Sequence, residues 1–93
     1  MNNEASVTVV LRNKYGMHVR PAGLFAKTAA RYRADVTVEK DGVVVPGKSI
    51  MALMTLEAVN GTTLTIRATG EEAQKAVDEL EALVERKFDL PDE

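Results

Sequence analysis

The stretch SVTVVLRNKYGMHVRPAGLFAKTA, residues 6–29, changes its hydrophobic period partway along. Ser6 to Leu11 is rich in β-branched residues, with Val7, Val9 and Leu11 on one face, which predicts a strand with that face in the core. Asn13 to Gly16 then breaks the pattern. From Pro21 onward Ala22, Phe25, Ala26 and Ala29 recur at helical spacing. Pro21 suits a first helical turn, and Arg31 suits the far end, where the backbone dipole favours cations. A strand thus runs through a tight loop into a helix that starts near His18, and both elements need a further layer to bury their apolar faces.

The flanking sequence supplies that layer. Asp35 to Glu39 alternates and Val43 to Val45 is a short apolar run; Asp41-Gly42 between them provides the positive-φ residues of a tight hairpin. Ser49 to Leu56 is apolar nearly all round, at Ile50, Met51, Leu53, Met54 and Leu56, and reads as a short helix with Ser49 as its cap. Thr62 to Thr69 places Leu64 and Ile66 inward against Thr63, Thr65 and Arg67, a strand launched from Asn60-Gly61. Glu71 to Arg86 carries one stripe of Ala73, Ala76, Val77, Leu80, Leu83 and Val84, opened by two acids and closed by Arg86-Lys87. The order is βαββαβα, an α+β fold. It forms a single domain over residues 1–93, with a core from about 6 to 86 and a short polar tail over 87–93.

Composition bounds the function. Ninety-three residues with 45% hydrophobic and 28% charged content predict one small core. Such a domain buries only about two-thirds of its unfolded surface, leaving little chain for a separate catalytic cleft. A carrier or binding module is the expectation, not an enzyme. The absence of cysteine excludes disulfides, cysteine-ligated zinc and thiol catalysis, and suits a reducing compartment. No apolar run is long enough to span a bilayer, and Met1 to Ser6 lacks the features of a signal peptide, so a cytoplasmic location without membrane insertion is expected. A net charge of −2 gives no support to nonspecific nucleic-acid binding. The two tyrosines and two phenylalanines, none in a predicted strand, leave no stacking platform for RNA. The charges are segregated: Arg12, Lys14, Arg20, Lys27, Arg31 and Arg33 lie in the first third, and Glu71 to Glu93 is mainly acidic, so an acidic partner would be steered to the N-terminal third.

The only histidine sits in Gly16-Met17-His18-Val19-Arg20-Pro21-Ala22. Neutral imidazole is a nucleophile near physiological pH, and a helix N-terminus disfavours imidazolium. The same dipole and its backbone amides would stabilise a phosphoryl group once attached. Arg20 is the natural second component, because its fork of donors matches phosphate oxygens and keeps its charge. Alone, His18 reads first as a loop histidine that happens to precede a helix. A metal site would leave most of a coordination shell unfilled, so neither metal nor cofactor is expected.

Three motifs in order resolve that choice by resemblance. GMHVRPA resembles the active-site signature of the HPr family, the histidine-containing phosphocarriers of the bacterial phosphoenolpyruvate:sugar phosphotransferase system. Lys48 to Leu56 (KSIMALMTL) is similar to the family's second signature. Gly61-Thr62 through Gly70-Glu71-Glu72-Ala73 is similar to its last strand and helix start. The resemblance runs from about Ser6 to Val84. It implies an open-faced β-sandwich, a four-stranded antiparallel sheet covered on one face by three helices. It also implies a phosphoryl group on Nδ1 of His18, as pros-phosphohistidine, assisted by Arg20. Enzyme I would be the donor and the A domains of sugar permeases the acceptors.

Ser49 reads first as an N-cap accepting a backbone N–H. In family members with the Lys-Ser-Ile-Met form this serine is also phosphorylated for regulation by an ATP-dependent kinase, the HPr kinase/phosphorylase, so the resemblance implies a phosphoserine. Such a phosphate would rest on the helix dipole and add charge to the docking face. The short helix carries more apolar side chains than one buried stripe can absorb, so some of them should face solvent. Gly23, Leu24, Ile50, Met51 and Met54 resemble the family's apolar docking rim, and flexible methionines suit a surface that meets several partners. Tyr15 reads as a loop aromatic in preference to a partner contact. A monomer is expected. The competing functions are a nitrogen-branch phosphocarrier and a binding regulator that depends on Ser49.

Overall fold

Alternation in four segments builds one antiparallel sheet. The computed structural model describes residues 3–91 and places strands β1 (Glu4–Val10), β2 (Asp35–Lys40), β3 (Val43–Pro46) and β4 (Thr63–Thr69), with helices α1 (Val19–Ala29), α2 (Ile50–Thr55) and α3 (Ala73–Glu85). The spatial order is β1-β4-β2-β3, every neighbour antiparallel, so β4 is flanked by β1 and β2. Register lines up Val9 with Leu64, Val38 with both Ile66 and Val45, and Val36 with Ala68. All of these are buried, whereas Ser6, Thr63, Arg67 and Thr69 of the opposite face are exposed. A period of two therefore gives one apolar face and one wet face.

The helices cover the apolar face. α1 buries Ala22, Phe25, Ala26 and Ala29, and α3 buries the whole stripe from Ala73 to Val84. α2 buries Leu53 alone, with Leu56 following it inward beyond the last turn. Six residues are too few for a helix to be stable by itself. It is fastened at its start by Ser49, whose Oγ accepts the N–H of Ala52 at 3.2 Å, as the capping pattern predicted. The result is the expected open-faced sandwich.

Strand ends shift by one or two residues from the sequence reading, and two differences after β4 bear on the packing. α3 begins at Ala73, so Glu71 and Glu72 precede it and do not form its first turn. Glu72 stands at the cap position, but its carboxylate accepts the backbone N–H of Arg33 at 2.9 Å and joins the helix start to the loop before β2. The supposed polar tail is corrected at Phe88, which is buried within a short 3-10 turn (Lys87–Asp89), and Leu90 packs against the core behind it. An aromatic ring that can reach an apolar face buries even when its neighbours are charged. The last two acids of that tail, like the first two residues of the chain, lie outside the described residues.

Candidate phosphoryl-transfer site

The loop from β1 to α1 is pulled inward on both sides of Gly16. Met17, buried, donates its N–H to the carbonyl of Ala58 at 2.8 Å, and Leu11, also buried, donates to Thr62 at 2.9 Å. The segment between α2 and β4 therefore forms the floor beneath the histidine loop. His18 follows in extended conformation (φ −87°, ψ −170°) as the N-cap residue of α1, and its carbonyl accepts the first intrahelical bond, from Ala22, at 2.9 Å. Its side chain does not cap the helix. His18, half-buried, thus stands at the positive end of α1.

Arg20 lies in the same turn and is exposed, so the guanidinium and the imidazole share one helix end. Pro21 is buried at the third helical position, where its fixed φ suits the turn. Tyr15 stands edge-on to the imidazole, ring centroids 6.1 Å apart at 86°, and Lys14 Nζ lies 5.2 Å from the tyrosine ring centroid. The chemistry available is nucleophilic attack by a ring nitrogen, with a helix N-terminus and a guanidinium to receive an anionic group. The open surface fits a partner macromolecule better than a small enclosed substrate.

The apolar rim divides as follows. Met51 is 80% exposed, Ile50 and Met54 are 41% exposed, and Gly23 and Leu24 are half-buried. α2 packs on α1, with Ile50 Cδ1 near Gly23 where a methyl group would sit at 3.9 Å, so the rim and His18 are carried by adjoining helices. Ser49 is half-buried at the start of α2, engaged as a cap. A shallow groove of about 360 Å³ is lined by Val19, Arg20, Gly23, Leu24, Lys27 and Leu90.

Sequence reasoning missed Val19 and Val59, exposed at 57% and 63%, and the Tyr15 contact with the imidazole. An aromatic three residues before the histidine was a visible signal for the last of these. Val19 gave none, because a valine inside a helical pattern reads as core. Among the described residues no group of three or more His, Cys, Asp or Glu side chains gathers as metal ligands, and no helix is long and apolar enough to cross a membrane.

Comparison with known proteins places this geometry. The family described as "PTS HPr component phosphorylation site" matches residues 5–86. The HPr-like protein Crh of Bacillus subtilis is 46% identical over 85% of this chain and 93% of its own length. The phosphocarrier protein HPr of Borreliella burgdorferi is 43% identical over 82% of this chain and 88% of its own. Among solved structures, HPr from Thermoanaerobacter tengcongensis superposes with a TM-score of 0.89 at 38% identity, covering 92% of this chain and 97% of that one.

Proposed function

The chain belongs to the HPr family of the phosphotransferase system, and from that membership we propose that it is a carrier which accepts a phosphoryl group on His18 and passes it on. The observation that carries this reading is the placement of His18 and Arg20 in one turn at the N-terminus of α1, with the exposed Ile50, Met51 and Met54 on the adjoining helix α2. Enzyme I is the donor. The Nδ1 lone pair of His18 forms the new P–N bond as the bond from phosphorus to the donor's group breaks, and the donor keeps that electron pair. Arg20 and the amides of the helix start hold the phosphoryl oxygens. The acceptors are the A domains of sugar permeases, whose own nucleophile reverses the same step. Most of the catalysis is positioning and charge stabilisation shared with the partner, so the carrier needs no cleft of its own.

A regulatory reading has one observation in its favour, the 45% identity to a protein described as the Bacillus subtilis catabolite repression HPr. In that reading Ser49 takes a phosphate from an ATP-dependent kinase. A phosphoserine at an N-cap retains oxygens to accept the N–H of Ala52 while adding about −1.5 to −2 charge beside the apolar rim.

One experiment separates the two. Labelled phosphate is passed from phosphoenolpyruvate through enzyme I to the wild type, His18→Ala and Ser49→Ala. Acid-labile label lost in His18→Ala and kept in Ser49→Ala is expected. No label on the wild type, with the enzyme I active on another carrier, moves the weight to the nitrogen branch or to the Ser49 regulator.

A further inference from the structure

Asn13 is completely buried, an unusual place for a carboxamide in so small a domain. Its Nδ2 donates to the carbonyl of Gly16 at 2.7 Å, and that same oxygen accepts the backbone N–H of His18 at 3.0 Å. Its Oδ1 is buried with no donor among the described residues. The hydrogen bond from Nδ2 is worth only about 1 kcal/mol net, so the fold draws a modest part of its stability from this side chain. What it does determine is the direction of the Gly16 carbonyl, and with it the position of the His18 amide.

The loop is held a second time from the far side of the site. Asn60, in the segment between α2 and β4, donates from Nδ2 to the carbonyls of Arg12 and Asn13, both at 3.1 Å. The Gly16 N–H closes back on the Asn13 carbonyl at 3.3 Å, and the Gly61 N–H reaches the Leu11 carbonyl at 2.8 Å. A continuous path thus runs from Asn60 through the Asn13 carbonyl and side chain to Gly16 and the amide of His18.

We propose that Asn13 and Asn60 are positioning residues for phosphoryl transfer, setting the imidazole of His18 against the N-terminus of α1. This rests on the reading of His18 as the acceptor. Transfer between two proteins depends on the approach of a ring nitrogen to phosphorus, and displacement of a reacting group by about 1 Å can cost on the order of a hundredfold in rate. Neither asparagine touches the phosphoryl group, so both act through the loop.

The test uses Asn13→Ala, which leaves the Gly16 carbonyl bonded to His18, and Asn60→Ala, whose side chain is exposed and whose loss the core tolerates. Val84→Ala in the core of α3 serves as a control that lowers the melting temperature further than either variant without touching the loop. In steady-state phosphorylation by enzyme I, both asparagine variants should lose about tenfold or more in kcat with KM within about twofold of wild type, whereas the control keeps its kcat. Hydrogen exchange at the His18 amide should quicken at least about tenfold in both, with the Ile66 amide of β4 unchanged. An unchanged kcat in either variant, or an equal loss in Val84→Ala, overturns the proposal. A wild type that takes no label overturns the acceptor reading instead, and the exchange data then report on the clamp alone.

Discussion

Lys40 at the end of β2 donates from Nζ to the carbonyl of Leu56 at 2.9 Å, and to that of Glu57 at 3.4 Å. These are the carbonyls at the end of α2, where a helix leaves acceptors unsatisfied and its dipole favours a cation. α2 is six residues long and buries one side chain, so it depends on its two ends. Lys40→Met keeps most of the apolar stem but loses the ammonium. We expect about 1 kcal/mol lower stability in urea unfolding, with faster hydrogen exchange confined to α2. Exchange that quickens evenly over the whole sheet would mean that Lys40 has no particular hold on the helix.

Gly16 and Gly42 both have positive φ, at 66° and 85°, yet their replacement should differ in cost. A Cβ on Gly42 meets nothing within 4 Å, so Gly42→Ala bears only the left-handed penalty, about 1–2 kcal/mol. A Cβ on Gly16 would meet the Ala58 carbonyl oxygen at 2.2 Å and the Val59 Cα at 2.7 Å, both backbone atoms that cannot turn aside. Gly16→Ala should therefore cost about 3 kcal/mol or more, and should also slow phosphorylation, because the floor of the loop must move. Equal denaturation midpoints for the two variants would contradict this account.

The difference between these glycines marks where sequence stops being informative. Asp41-Gly42 announces a hairpin through local turn chemistry, and Pro21 and Ser49 announce helix starts in the same way, so βαββαβα was readable residue by residue. The floor under His18 was not, because Asn60 reaches Arg12 and Asn13 across 48 and 47 positions of chain, a separation that carries no periodic signal. The apolar run of α2 forced some side chains outward without saying which. Packing decided it, taking Leu53 inside and leaving Met51 in solvent. Phe88 was misjudged for the opposite reason: its charged neighbours hid a ring whose burial depends on backbone conformation.

Met51 gives a test of docking separate from chemistry. At 80% exposure it contributes little to the fold, and Met51→Asp should change stability by no more than about 0.5 kcal/mol. A charge in the centre of an apolar rim has to be desolvated when a partner binds, so KM for transfer from enzyme I should rise about tenfold with kcat little altered. Unchanged kinetics would remove Met51 from the docking surface and leave Ile50 and Met54 to be tested in its place.

The segment after α3 carries two effects of opposite sign. Lys87, Phe88 and Asp89 all have positive φ, 54°, 58° and 56°, a conformation that favours glycine and that side chains enter only at a cost. Lys87 follows the C-cap Arg86, the place where helices most often use a left-handed glycine. Its own side chain is exposed, so Lys87→Gly should stabilise the protein by about 0.5–1 kcal/mol. Phe88 holds the turn in place by burying its ring, and Phe88→Ala removes that anchor. A buried phenylalanine in an unstrained core costs about 3–5 kcal/mol when truncated to alanine. Here the loss should be smaller, because once the ring is gone the strained turn can let go of the core and relax. Phe88→Ala and a chain ending at Arg86 should then unfold at the same urea concentration, both below the wild type, with Lys87→Gly above it. A full loss of about 3–5 kcal/mol in Phe88→Ala, exceeding that of the shortened chain, would show that the turn stays docked without its ring and that its left-handed backbone is held by the Arg86–Asp89 ion pair instead.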